Sequence, residues 1–85
     1  MDYSKYASEL ENGVNQLITN IDEPFMIVHL PKEYFLANNS LDDKYIITLI
    51  GMEDLVQFNY IVPKTETLDT KTICQFFLDN LKGNS

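Results

Sequence analysis

The sequence predicts a single small α+β domain in the order α-β-β-β-α, with a three-stranded antiparallel meander sheet and two flanking helices. Apolar residues recur at helical spacing near both ends of the chain, and short runs of strand-forming residues lie between them. No internal repeat or flexible linker divides residues 1–85. Strands grouped between helices are typical of the α+β class, and a chain of 85 residues has room for one core.

The first segment of the chain is predicted to form a helix that ends near Thr19 or Asn20. Its apolar side chains recur every three or four residues, which places them on one helix face. Gly13 lies inside this pattern and costs up to about 1 kcal/mol relative to Ala, so packing must stabilise the helix. The apolar positions are Tyr3, Tyr6, Leu10, Val14, Leu17, Ile18 and Ile21.

Three strands are predicted, over residues 25–30, 44–50 and 55–62. Each run is rich in β-branched or aromatic residues and is bounded by residues that favour turns. Residues 31–43 are predicted to form a short helical turn after Pro31, or a loop, with a turn at residues 38–40.

The last helix is predicted to begin after Asp69, whose carboxylate can cap the first turn. Leu68 precedes the cap and can pack on Ile73, which is the hydrophobic staple of a helix start. Phe76, Phe77 and Leu81 continue the helical spacing.

The second face of the sheet has no obvious cover. The third strand alternates apolar and polar residues, but the first two strands are apolar on both faces. Strands of that kind are usually covered on both sides, and two helices cover only one. We expect the second face to be covered by residues 31–41, by a second copy of the chain, or by another protein.

The charge and cysteine content exclude several classes of protein. The chain has six lysines, no arginine and 13 carboxylates, giving a net charge of −7, which argues against direct nucleic-acid binding. One cysteine cannot form an internal disulfide, and no run approaches the roughly 18–20 apolar residues that span a membrane. The start of the chain does not resemble a secretory signal. We therefore expect a cytoplasmic protein with no membrane association.

The sequence predicts no enzyme, no catalytic residue, no bound metal and no cofactor. His29 is the only histidine, and Cys74 has no histidine near it in sequence. No nucleophile motif and no glycine-rich phosphate loop is present. The expected role of His29 is that of a strand residue, and Cys74 is expected to be a small buried side chain.

Acidic residues come in pairs and are candidates for a contact surface. In a three-stranded meander, the first strand begins at the edge where the second ends, so four carboxylates are predicted to meet at one end of the sheet. The alternative is that these are solvated strand ends. The four are Asp22, Glu23, Glu53 and Asp54.

Two functions follow as hypotheses, and both are protein binding. In the first, the acidic surface occupies a basic, nucleic-acid-binding surface of a target such as a restriction, CRISPR or repair enzyme. Inhibitors encoded by phages and mobile elements act this way as a class. In the second, the protein is a dimeric adaptor, chaperone or antitoxin-like regulator that binds through its apolar sheet face. The apolar contact candidates are Phe25, Val28, Tyr45 and Ile50.

Overall fold

The computed structural model describes residues 3–23 and 25–83, with side chains from Tyr6 onward, and it confirms the α+β class. A helix comes first, one antiparallel sheet follows, and a second helix packs beside the first. The elements are α1 (Tyr3–Thr19), β1 (Met26–Leu30), β2 (Tyr34–Ser40), β3 (Lys44–Gly51), β4 (Val56–Pro63) and α2 (Thr70–Gly83).

The sheet has four strands, and the prediction of three is wrong. Residues 34–40 form β2 instead of a helical turn or loop, and β2 pairs with β1 on one side and β3 on the other. The strand order β1-β2-β3-β4 is the predicted meander with one strand added. Asn38 obscures this strand in the sequence, because a polar residue stands there at a core-facing position that is only 2% exposed.

The turn between β1 and β2 also lacks the usual sequence signal. Lys32 and Glu33 both have positive φ, at 63° and 59°. Two successive residues of this kind match the twist of a tight hairpin, and Asn-Gly or Asp-Gly usually supplies them. A Lys-Glu pair therefore gives no indication of a hairpin, although the backbone adopts one.

Both helices pack on the same face of the sheet. Helix α1 lies against β1 and β2, α2 lies against β4, and the two helices contact each other. The predicted apolar face of α1 is confirmed for the described side chains; that of Tyr3 is outside the described set. The buried cluster contains Tyr6, Leu10, Val14, Leu17, Val28, Tyr34, Leu36, Ile47, Leu49, Ile73, Cys74, Phe77, Leu78 and Leu81.

Gly13 allows α1 to approach the sheet closely. A Cβ atom at this position would lie 2.9 Å from Leu30 Cδ2 and 3.1 Å from Leu36 Cδ1. Glycine has a low helix propensity, but because it has no side chain, α1 can lie in contact with β1 and β2.

Asp69 caps α2 as predicted. The backbone N–H of Thr72 donates to Asp69 Oδ2 at 3.0 Å, and the Thr72 hydroxyl donates to the same oxygen at 2.5 Å. Both hydrogen bonds lower the pKa of Asp69, and the one from the Thr72 hydroxyl has the larger effect. Leu68 packs against the buried cluster that contains Ile73, as expected of a staple.

Candidate protein-binding face

The face of the sheet turned away from the helices is the outer face. Alternation along each strand assigns side chains to it, because successive residues point to opposite sides. None of these side chains is a carboxylate, although the chain has a net charge of −7, and Lys44 at the start of β3 is the one lysine that the alternation places on this side among the described strand residues. The outer face consists of Ile27, His29, Phe35, Ala37, Asn39, Ile46, Thr48, Ile50, Gln57, Asn59 and Ile61.

No described residue outside the sheet covers the outer face. Ile27 is 50% exposed and Ile61 is 58% exposed, and Phe25, just before β1, is 64% exposed. The expectation that residues 31–41 fold over this face is wrong, since residues 34–40 are paired within the sheet as β2. The described part of the chain thus presents an apolar surface to its surroundings.

A trench crosses the strands in the middle of this face. Its floor is the row in which Ala37 lies opposite Thr48, two small side chains at the centre of the sheet. The larger Phe35 and Ile50 form a row on one side, and Phe25 lies on the other. The concavity has a volume of about 460 Å³, and its apolar lining is Phe25, Ile27, Phe35, Ala37, Ile50 and Met52.

The polar lining is spread over β2, β3 and β4. The Thr48 hydroxyl donates to Asn59 Oδ1 at 2.8 Å, and Gln57 Nε2 donates to the same oxygen at 3.4 Å. Thr48 and Gln57 line the trench together with Asn39. The trench is therefore mainly apolar, with a strip of uncharged hydrogen-bonding groups along one part.

The four apolar contact candidates are divided between the two faces. Phe25 and Ile50 line the trench. Val28 is 7% exposed and belongs to the core, and Tyr45 points to the helix side, where its hydroxyl donates to Asp22 Oδ1 at 3.3 Å. Val28 and Tyr45 therefore lie on the helix side of the sheet and are not part of the open face. The sequence could not separate the faces, because β1 and β3 are apolar on both.

The four acidic candidates do not meet at one end of the sheet, so that prediction is wrong. The additional strand β2 makes β1 and β3 run in the same direction. The residues before β1 therefore share an end with those before β3, whereas residues 53 and 54 follow β3 and lie at the other. This end, here the Asp22 end, contains Asp22, Glu23, Asp42 and Asp43.

Carboxylates also gather at the opposite end, here the Glu53 end. The Met52 N–H donates to the Glu33 carbonyl at 3.0 Å, which joins the β1–β2 turn to the β3–β4 turn. The Tyr34 hydroxyl donates to the Asp54 carboxylate. Carboxylates outnumber lysines at both ends: Lys44 and Lys64 accompany the Asp22 end, and Lys32 accompanies Glu33, Glu53 and Asp54.

His29 and Cys74 lie on opposite sides of the sheet. The His29 ring is on the exposed outer face with its centroid 4.6 Å from that of Phe35, in an edge-to-face arrangement. Cys74 is buried between the helices and the sheet, and its Sγ donates to the Ala7 carbonyl at 3.8 Å. Burial, and then the nearby Glu11, raise the pKa of the Cys74 thiol. The two side chains are too far apart in the fold to act as a nucleophile and base.

Within residues 3–23 and 25–83, no group of three or more His, Cys, Asp or Glu side chains is arranged to hold a metal ion. Neither of the described helices combines the length and apolar character that a membrane span requires.

Sequence reasoning missed the central feature of this face. Ala37 and Thr48 form the floor of the trench only because β2 and β3 are neighbours. The apolar run of residues 34–37, with aromatic residues at Tyr34 and Phe35, was the available signal, and it is short. No protein-family model, no curated protein and no solved structure matches this chain.

Proposed function

We propose that this protein is a non-enzymatic inhibitor or regulator that acts by binding another protein through its outer face. The observation that supports the proposal is the exposure of the trench and its apolar rim while both helices cover the other face. An exposed apolar surface bounded by polar groups is typical of a protein-interaction site.

The charge distribution supports a partner with a basic surface. Carboxylates are in excess at the Asp22 end and at the Glu53 end, and the outer face between them has no carboxylate. Opposite charges at the rim of an interface increase the rate of association and select the partner, while the apolar centre supplies most of the affinity. We propose that the partner is a protein whose nucleic-acid-binding or other basic surface is occluded in the complex.

The separation of the acidic residues favours the apolar face over charge alone as the main contact. The two ends are separated by the length of the strands, roughly 20–25 Å. A small basic site could reach only one of them. We therefore expect binding to weaken at high salt without being abolished. The free thiol of Cys74 accords with a reducing compartment, and we propose that the complex forms in the cytoplasm.

The test begins with affinity capture from the source cell and continues with the purified partner. Ile27→Lys places a charge in the lining of the trench, next to Ala37 and at a half-exposed position, so the fold should remain intact. We expect this variant to weaken binding by at least about ten-fold, as desolvation of a charge in an apolar contact requires. Ser8→Lys adds the same charge on the exposed side of α1 and should leave affinity unchanged.

Isothermal titration at low and high salt would measure both effects, with circular dichroism to confirm folding. Equal loss of affinity in the two lysine variants would show that only the net charge matters. Equal affinity of wild type and Ile27→Lys would show that the outer face is not the contact surface. Either result would overturn the proposal.

A further inference from the structure

We infer that the segment of the partner that occupies the trench is an amphipathic helix, lying across the strands, with lysine or arginine along both sides of its apolar stripe. This inference rests on the proposed function, because it names what the outer face would bind. It is argued from the width of the trench, from backbone hydrogen bonding and from the position of the carboxylates.

The dimensions of the trench suit a helix. Its walls lie two residues to either side of the row that contains Ala37 and Thr48, so they are about 13 Å apart along the strands. The wall side chains narrow this gap, so the trench receives the apolar stripe of a helix about 10–12 Å in diameter and leaves the rest of the helix outside. The lining includes residues of all four strands, whose first and last axes are about 14 Å apart, a distance that about ten helical residues span.

Backbone hydrogen bonding favours a helix over an extended segment. The trench lies on the face of the sheet, where side chains rather than backbone groups are presented. An extended segment placed there would leave many N–H and C=O groups without partners, and burying them is costly. A helix pairs its own backbone N–H and C=O groups. To bind here it needs only an apolar stripe that packs against the lining around Phe35 and Ile50.

The carboxylates determine the chemistry of the flanks. Since the trench runs across the strands, its two long sides face the two ends of the strands, where the Asp22 end and the Glu53 end lie. A bound helix would thus have an acidic group of residues along each side. Lysine or arginine on both flanks complements them, whereas a second copy of this chain would bring like charge to both ends.

The experiment uses two synthetic peptides of about 14 residues with identical leucine and lysine content. One has leucine at helical spacing, and its isomer alternates leucine and lysine as a strand does. We expect the helical peptide to bind the full chain at least about ten-fold more tightly than the isomer, measured by fluorescence anisotropy. Amide resonances of Ala37 and Thr48 should shift on binding, and those of α2 should not.

Two variants show whether the trench is the binding site. Ala37→Phe fills the floor without changing the charge and should weaken binding of the helical peptide by at least about ten-fold. Ser8→Phe adds the same side chain on α1 and should have no effect. Both positions are far enough from the core for the domain to fold, which circular dichroism would confirm.

Equal binding of the two peptides, no effect of Ala37→Phe, or no binding of either peptide would overturn the inference. So would a dimer of the wild-type chain that Ala37→Phe dissociates, because a second copy would then occupy the trench. The proposed function is judged separately by Ile27→Lys and the purified partner. A partner that binds through the outer face with a strand or loop would contradict the helix alone.

Discussion

The side chain of Asn38 holds the start of β1 in place: its Oδ1 accepts a hydrogen bond from the backbone N–H of Met26 at 2.8 Å. Its Nδ2 donates to the carbonyl oxygens of Ile21 and Glu23 at 3.3 and 3.5 Å. A buried side chain of β2 thus satisfies backbone groups of the connection between α1 and β1.

Asn38→Ala is therefore expected to lower the free energy of unfolding by about 1–3 kcal/mol, since partly buried backbone groups lose their partner. Asn39→Ala changes the adjacent residue, which is exposed on the outer face, and should change stability little. Urea denaturation would measure both. Equal effects of the two substitutions would contradict the assigned role of Asn38.

Replacing Lys32-Glu33 by Asn-Gly should stabilise the protein by about 1–2 kcal/mol. Both residues have positive φ, which is strained for side chains of this kind and is readily adopted by Asn and Gly. Glu66→Gly, in an exposed turn without positive φ, should instead destabilise slightly by loosening the unfolded chain. A stabilising effect of Glu66→Gly equal to that of the double substitution would contradict the explanation.

Gly51→Ala is expected to destabilise the protein by about 1–3 kcal/mol through overcrowding. A Cβ atom there would lie 2.9 Å from Tyr34 Cδ1 and 3.0 Å from Val56 Cγ2, and the Tyr34 ring packs edge-to-face on Tyr6. Gly83→Ala is the matched control, because a Cβ at that position meets nothing within 4 Å. Thermal unfolding of both variants would show whether the ring can move aside at no cost.

Tyr6 should make the protein sensitive to alkali. Its hydroxyl donates to the Pro31 carbonyl at 3.1 Å, and burial, followed by the charge of Glu9, raises the pKa of Tyr6 from 10.0 to about 12. Because the folded pKa is the higher one, the stability contributed by the neutral phenol is complete below pH 10. It is lost as the pH rises from 10 toward 12.

Tyr6→Phe should reduce this loss between pH 10 and 12 while costing about 0.5–1.5 kcal/mol at neutral pH for the missing hydrogen bond. Denaturation midpoints across this range would measure the difference. The same steepness of alkaline destabilisation in wild type and Tyr6→Phe would contradict the role of the buried phenol.

The thiol of Cys74 should react slowly with disulfide reagents in the folded protein. It is 5% exposed, and its raised pKa leaves less thiolate at neutral pH. We expect the rate of reaction with a disulfide reagent to increase by orders of magnitude in denaturant. A rate in buffer close to that in denaturant would show that the helix layer opens readily.

The fold class, both helices and three of the strands could be predicted because their patterns are local. Helical spacing identified α1, and the cap at Asp69 with its neighbour Leu68 identified the start of α2. These signals depend on neighbouring residues alone. Strand β2 lacked them, because Asn38 is polar in the core and the turn before it uses Lys32 and Glu33.

The site was less predictable, because it depends on how many times the chain reverses. One additional strand moved Glu53 and Asp54 to the end of the sheet opposite Asp22 and Glu23. The face toward which Val28 points depends on where the helices pack. The sequence of a strand that is apolar on both faces does not show which face the helices cover. A single missed strand thus changed the arrangement of every acidic candidate without changing the fold class.

The pairing of α1 with α2 has a practical consequence for attaching reporters or surfaces. Tyr3 and Gly83 end the described helices, and both helices belong to the layer on the far side of the sheet from Ile27 and Ala37. A dye or immobilisation linker attached at Tyr3 or Gly83 would start from that layer. Attachment at these helix positions in a binding assay therefore leaves the trench directed toward the solution.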